Sequence, residues 1–137
     1  MARIVGVALS AVTGLATGDE PVFRHIVDDA PLDVRLQPGE PATQAVQHFH
    51  ETGENRYVGD AAAIAEGKQH YETWCQACHL ADGSGRIGPS LIDDQYGYKR
   101  TATDVGMFEI IFAGGAGAMQ PFKDRLTQDQ ILKLIAY

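Results

Sequence analysis

Apolar residues recur at three- and four-residue steps in several stretches of this chain, and each such stretch predicts a helix. The strongest is "DAAAIAEGKQHYETWCQACH", residues 60–79, where Ile64, Gly67, Tyr71, Trp74 and Cys78 mark one face and Asp60 stands at the N-cap position. Gly67 costs about 1 kcal/mol in a helix interior, which predicts that another backbone approaches there. "TATDVGMFEIIFAGG" predicts a second helix, capped by Thr101 or Thr103 and closed by Gly114-Gly115. "LTQDQILKLIAY" predicts a third, with Thr127 and Gln130 in capping-box spacing and an apolar stripe of Ile131, Leu134 and Ile135. This last helix reaches Tyr137 without a stop signal, so it is expected to run on in the native protein. A shorter helix is expected in "GEPATQAVQHFHETG", from Ala42, Ala45, Val46 and Phe49 to a closing Gly53.

Between these stretches the pattern fails. Pro21, Pro31, Pro38 and Pro41 make residues 20–42 mostly irregular. Val22–Val27 and Leu32–Leu36 flank the turn-like Asp28-Asp29-Ala30-Pro31 and predict a small hairpin. "ENRYVGD" reads as a linker; "LADGSGRIGPSLIDDQYGYKR" and "AGAMQPFKDR" read as loops. No internal repeat is present.

The chain has 137 residues, 45% of them hydrophobic, which suits one ordinary domain with a real core. A net charge of −7 excludes a nucleic-acid binder, which needs a basic footprint, and argues against docking on anionic lipid. The acidity is uneven: residues 1–66 carry −6 and residues 67–137 carry −1. That asymmetry either biases which face meets a partner or only keeps the protein soluble. The start, "MARIVGVALSAVTGLATGDEP", reads as a short secretory signal over residues 1–16, with Arg3 as its positive end and Gly14-Leu15-Ala16 as the cleavage site. A buried N-terminal strand or a start site placed too late would also account for it. It is too short to span a bilayer, so no membrane span is expected in the mature form.

The only two cysteines, Cys75 and Cys78, stand three apart with His79 directly after. This C-x-x-C-H spacing lets two thiols join the two vinyl groups on one edge of a haem while the next imidazole falls under the iron. Three other readings compete. A redox dithiol usually opens a helix after a strand, whereas this motif ends a helix. A zinc site needs a fourth ligand, and no second Cys/His cluster follows. A disulfide across two intervening residues would staple almost nothing. For the far side of an iron the choices are Met107, Met119 and the remaining histidines. Met107 lies in an apolar helix beside Phe108 and Ile111 and is expected to pack in the core. Met119 follows a Gly-rich loop able to approach a flat cofactor, is stiffened by Pro121, and would raise the reduction potential as a thioether. His25, His48, His50 and His70 precede the motif and read as surface or half-buried residues. Pro89, ten residues after His79, offers a carbonyl for the other ring N–H of a ligating imidazole, or is a plain turn proline. Arg86, Tyr98, Lys99 and Arg100 are candidates to meet haem propionates, or are solvated surface groups.

The order helix, C-x-x-C-H, G-P-x-L loop, helix, Gly-rich loop with Met, helix resembles class I cytochromes c. Over about residues 22–137 the chain is similar to the cytochrome c-L family, the periplasmic electron acceptors of quinone-dependent methanol dehydrogenase in methylotrophic bacteria. "TGENRYVGDAAAIAEGKQHYETWCQACH", "GRIGPSLIDD" and "TATDVGMFEIIFAGGAGAMQPF" carry the likeness. The resemblance implies a mostly α, class I cytochrome c fold: three core helices around one covalent haem c, with a partly irregular N-terminal extension. It divides the chain into the signal at 1–16, an extension at 17–59 wrapping the core, and a haem domain at 60–137. It places haem attachment at Cys75 and Cys78, the proximal ligand at His79, the distal ligand at Met119 and the acceptor carbonyl at Pro89, and it allows a calcium ion near the propionates. The implied protein is a periplasmic, monomeric one-electron carrier, not an enzyme. It would receive electrons from methanol dehydrogenase and pass them to a downstream cytochrome c or oxidase. "QYGYKR" stands where partners of calcium-type dehydrogenases have Tyr-Trp-Thr-Tyr-Pro, which leans toward a lanthanide-dependent dehydrogenase. The alternatives are a cytochrome c serving another periplasmic quinoprotein or a terminal oxidase, and, with an open iron position, a haem peroxidase or ligand sensor.

Overall fold

The computed structural model describes residues 20–137. The expected signal at residues 1–16 lies outside the described residues. Five α-helices follow in order: α1 (Gln44–Thr52), α2 (Ala61–Trp74), α3 (Gln76–His79), α4 (Asp104–Ala113) and α5 (Gln128–Ala136), with a 3-10 turn at Lys99–Ala102 before α4. Their starts obey ordinary capping chemistry. The side chains of Thr43, Asp60, Thr103 and Thr127 accept backbone N–H groups at the starts of α1, α2, α4 and α5. Thr127 and Gln130 complete the capping box. Gly53 closes α1 in the left-handed conformation, with φ 76°. Thr101, the other candidate cap for α4, is buried in the 3-10 turn, where its hydroxyl donates to the Tyr98 carbonyl at 2.7 Å.

Helices α2 and α5 cross at Gly67. A Cβ added there would run into the Lys133 carbonyl, so only glycine permits the approach. This is the close backbone contact expected at that position. The buried face of α2 is Ala63, Gly67 and Tyr71. Ile64 is only half-buried and Trp74 is 40% exposed, so the expected stripe is shifted by one position at its start and does not reach the helix end.

The core is an aromatic cluster closed by α5. Phe49 of α1 and Phe108 of α4 meet at 5.1 Å, and Phe23 of the N-terminal arm packs on both, at 5.8 and 5.7 Å. Ile131 and Leu132 of α5 are fully buried beside them. The arm is not a hairpin: a single isolated bridge joins Arg24 and Pro31. The alternation of Val22–Val27 and Leu32–Leu36 is used to lay Phe23, Leu32, Val34 and Leu36 against the core rather than to pair strands.

Polar contacts bind the arm to the helices. Glu109, fully buried on α4, accepts from the Arg24 backbone N–H at 2.7 Å and from both the Nε and an Nη of Arg100, which also donates to the Val22 carbonyl at 2.6 Å. Gln128 of α5 donates to the Val34 carbonyl at 2.8 Å, and its backbone N–H donates to the Glu40 side chain. The supposed linker around Asn55 is also anchored. Asn55 donates to the Leu132 carbonyl at 2.7 Å, and the Tyr57 hydroxyl donates to Asp129 at 2.6 Å.

Candidate haem site

Helix α2 ends at Trp74 and the chain turns at Cys75 before the single turn of α3, so the motif straddles a break rather than continuing one helix. Leu80 then takes a left-handed φ of 66°, a conformation that non-glycine residues adopt at a cost. Tyr71 of α2 stabilises it by donating its hydroxyl to the Leu80 carbonyl at 2.7 Å. The loop after α3 folds back on the motif: Gly85 N–H donates to the His79 carbonyl and Gly88 N–H to the Cys78 carbonyl, both at 3.0 Å.

These contacts fix His79. Its ring is buried, and its Nδ1 lies 2.9 Å from the Pro89 carbonyl oxygen. A carbonyl can only accept, so Nδ1 carries a proton, and Nε2 has no hydrogen-bond partner among the described residues. Gly88 lies flat against the ring. A Cβ at that position would come within 2.7 Å of Nδ1 and 2.8 Å of Nε2.

His79, Cys75, Cys78, Pro89 and Met119 all line one cavity of about 850 Å³. Its walls come from the motif, the 81–98 loop, α4 and the end of α5, so every later element of the chain contributes to it. Met107 lines it too. Met107 is half-buried and packs on the core while reaching the cavity, so its expected role is only half of its position. The four other histidines are half-buried and none reaches the cavity; His50 instead pairs with Gln128 at 2.6 Å. Of the propionate candidates only Tyr98 lines the wall. Arg100 is turned to Glu109, Arg86 donates to the Ala77 carbonyl, and Lys99 lies outside the lining. Arg125, which no sequence signal singled out, is at the cavity edge with its guanidinium 5.8 Å from the Phe122 ring.

The cysteines are free. Burial, with a smaller contribution from Cys78, pushes the Cys75 thiol up to about 11. A dithiol catalyst needs the opposite, a depressed thiol that ionises near neutrality, so the burial of Cys75 argues against the redox-dithiol reading. Among the described residues no group of three or more His, Cys, Asp or Glu side chains is assembled to hold a metal ion.

A large apolar cavity, an imidazole with one nitrogen tied back and the other free, and two thiols on the cavity wall define a class I cytochrome c: a small helical electron-transfer protein, not an enzyme, whose cofactor is haem c. The comparisons narrow this. Residues 62–137 match the family model described as cytochrome c oxidase, cbb3-type, subunit III, which spans the haem region. The whole chain is similar to cytochrome c-L of Methylorubrum extorquens, 38% identical over 137 residues, covering 98% of this chain and 70% of that protein. The fold is similar to the crystal structure of cytochrome cL from the marine methylotroph Methylophaga aminisulfidivorans, with TM-score 0.82 and 40% identity over 85% of this chain and 78% of that one. It is also similar to cytochrome cL from Hyphomicrobium denitrificans, with TM-score 0.80 and 39% identity over 85% of this chain and 71% of that one. The chain belongs to the cytochrome c-L family.

Proposed function

We propose that this chain is a periplasmic one-electron carrier that accepts electrons from the reduced quinone of a methanol dehydrogenase and passes them to a downstream cytochrome c or oxidase. The observation that carries the haem-site reading is the His79–Pro89 bond: it ties the proton to Nδ1 and leaves Nε2, without a partner among the described residues, as the nitrogen available to an iron. Cys75 and Cys78 tether the haem, His79 is the proximal ligand, Met119 the distal one, and the Pro89 carbonyl orients the proximal ring. Bound there, haem supplies an iron that alternates between ferrous and ferric states. The apolar walls exclude water, and a thioether ligand biases the site toward a high potential. Residues 17–59 form an extension around a haem domain at 60–137, and residues 1–16 form an export signal. A calcium ion near the propionates would have to rely on them and on backbone oxygens, since no cage of carboxylates is assembled among the described residues.

The choice of donor rests on the family. Ile87, Ile92 and Tyr96 are exposed apolar residues at the cavity edge, which suits a small transient encounter near the haem. The carrier is monomeric, and its dehydrogenase is of the lanthanide type. The acidic N-terminal half steers the approach, with a screening length of about 8 Å at physiological ionic strength. Stopped-flow mixing with purified methanol dehydrogenase and methanol tests this: haem reduction is expected and should slow as salt rises. Haem that stays oxidised there but is reduced by another quinoprotein moves the donor assignment. A salt-independent rate keeps the donor and removes the steering. The match of residues 62–137 to a terminal-oxidase subunit favours, as a second reading, a carrier serving such an oxidase directly.

A further inference from the structure

Met119 packs half-buried against the core, in a loop with few hydrogen bonds to hold it. Gly114 N–H still donates to the Ile110 carbonyl at the end of α4, and Phe122 N–H donates to the Ile111 carbonyl, both within 3.0 Å. Between those anchors Gly115 N–H closes on the Met119 carbonyl at 3.0 Å, a bond internal to the loop. Ala116, Gly117 and Ala118 are exposed. Among the described residues one hydrogen bond ties residues 115–120 to anything outside the loop: Ala116 N–H donates to the Tyr98 hydroxyl at 3.3 Å.

Tyr98 is well placed to bear that load. It is half-buried, and its ring lines the cavity. Its carbonyl accepts both the backbone N–H and the hydroxyl of Thr101, at 3.0 and 2.7 Å, which starts the 3-10 turn. Arg100 in that turn is locked to the fully buried Glu109 of α4, and Gly106 of α4 packs so closely on the Arg100 carbonyl that a Cβ would overlap it. The hydroxyl is thus carried on a rigid base that α4 and the N-terminal arm both grip.

We propose that Tyr98 is a positioning residue for Met119: its hydroxyl, held in place through Arg100 and Glu109, restrains the Gly-rich loop and so limits how often the thioether leaves the iron. This rests on the reading of Met119 as the distal ligand. The aromatic ring is not the active part; the hydroxyl oxygen, as acceptor of the Ala116 N–H, is. Losing one such bond shifts the loop equilibrium by about fivefold, the scale of a single net hydrogen bond.

The test uses the haem-loaded protein and carbon monoxide, which binds ferrous haem only when the distal position opens. Tyr98→Phe keeps the ring and removes the hydroxyl; the apparent affinity of the ferrous protein for carbon monoxide should rise about fivefold. Glu109→Gln should raise it as well, and should add little in the Tyr98→Phe background, because the two act through one element. Met119→Ala separates the two ideas. If it leaves carbon monoxide binding at the wild-type level, Met119 is not the ligand and both readings fall. If it opens the iron while Tyr98→Phe binds carbon monoxide as the wild type does, the ligand reading stands and the positioning role is overturned. A Tyr98→Phe effect confined to the potential also overturns it and assigns the hydroxyl to a propionate instead.

Discussion

Replacing Gly88 with alanine tests the geometry of the proximal side directly. The new methyl group would sit 2.4 Å from His79 Cε1, and ordinary contact begins at 3.4 Å, so ring and loop must separate by about 1 Å. The Pro89 carbonyl belongs to the next residue of that loop, so the same displacement, across the ring face, tilts and weakens its 2.9 Å bond to Nδ1. Overpacking costs about 1–3 kcal/mol and the lost bond about 0.5–1.5 kcal/mol. With the bond lost outright the sum is about 1.5–4.5 kcal/mol, which at a urea slope of about 2 kcal/mol/M lowers the midpoint by about 0.7–2.3 M. The potential should rise as well, because an imidazole that has lost its acceptor is a weaker donor to ferric iron. Equilibrium urea unfolding of the haem-loaded protein and a redox titration read the two effects. The wild-type protein is the control, since Gly97, the glycine with open space at its Cβ and no left-handed backbone, itself lines the haem cavity. A Gly88→Ala protein with the control's midpoint and the wild-type potential would falsify the claim that Gly88 and Pro89 together hold His79.

Intact-mass measurement should show one haem that survives acid–acetone extraction, and Cys75→Ala should leave a more weakly tethered group. Met119→Ala should abolish the near-infrared-edge band of oxidised Met-ligated haem and lower the potential. Met107→Ala should keep the band and cost less than the 2–5 kcal/mol of a fully buried methionine, since Met107 is only half-buried. Burial alone would raise the Asp129 carboxyl, but hydrogen bonds from Tyr57, Thr43 and Lys133 outweigh it and hold Asp129 below its ordinary 3.8. A depressed carboxyl contributes stability above its unfolded value and loses it as pH falls through the folded one. The gap in urea midpoint between wild type and Asp129→Asn should therefore be full above about pH 5 and shrink below about pH 4; a gap that stays constant through that range would contradict this.

Helices were legible wherever apolar periodicity and a cap agreed. Asp60, Thr103 and Thr127 each stand where the structure starts a helix, and Gly67 announced a backbone contact that α5 then makes. The break at Cys75 was not legible, because "TWCQACH" has neither proline nor glycine to mark it. The turn comes from the fold-back of residues 80–91 on the motif, a tertiary effect. The arm misled for a similar reason: alternation reports one buried face, and a segment laid on helices shows it as well as a paired strand does. At the site, the His79–Pro89 spacing was readable, whereas the fate of Arg100 was not. Its partner Glu109 lies in an apolar helix, and nothing local says that a carboxylate there is buried and waiting. Tyr98 and Ala116 are 18 positions apart in segments without periodicity, so their bond has no sequence signature.

The crossing of α2 and α5 also bears on the order of assembly. Gly67 and Lys133 bracket the C-x-x-C-H motif, the loop over His79 and the Met119 loop, so their contact closes a ring containing every proposed ligand. Helix α5 follows the other described elements and is synthesised after them. Until it docks, Leu134 and Ile135 are missing from the cavity wall and the thiols stand open. Joining the two helices costs loop-closure entropy, which grows only slowly with loop length, and a prosthetic group already tethered in the middle shrinks the ensemble that must be closed. Loading before closure is therefore the kinetically easier sequence, with α5 closing the wall over a group already in place.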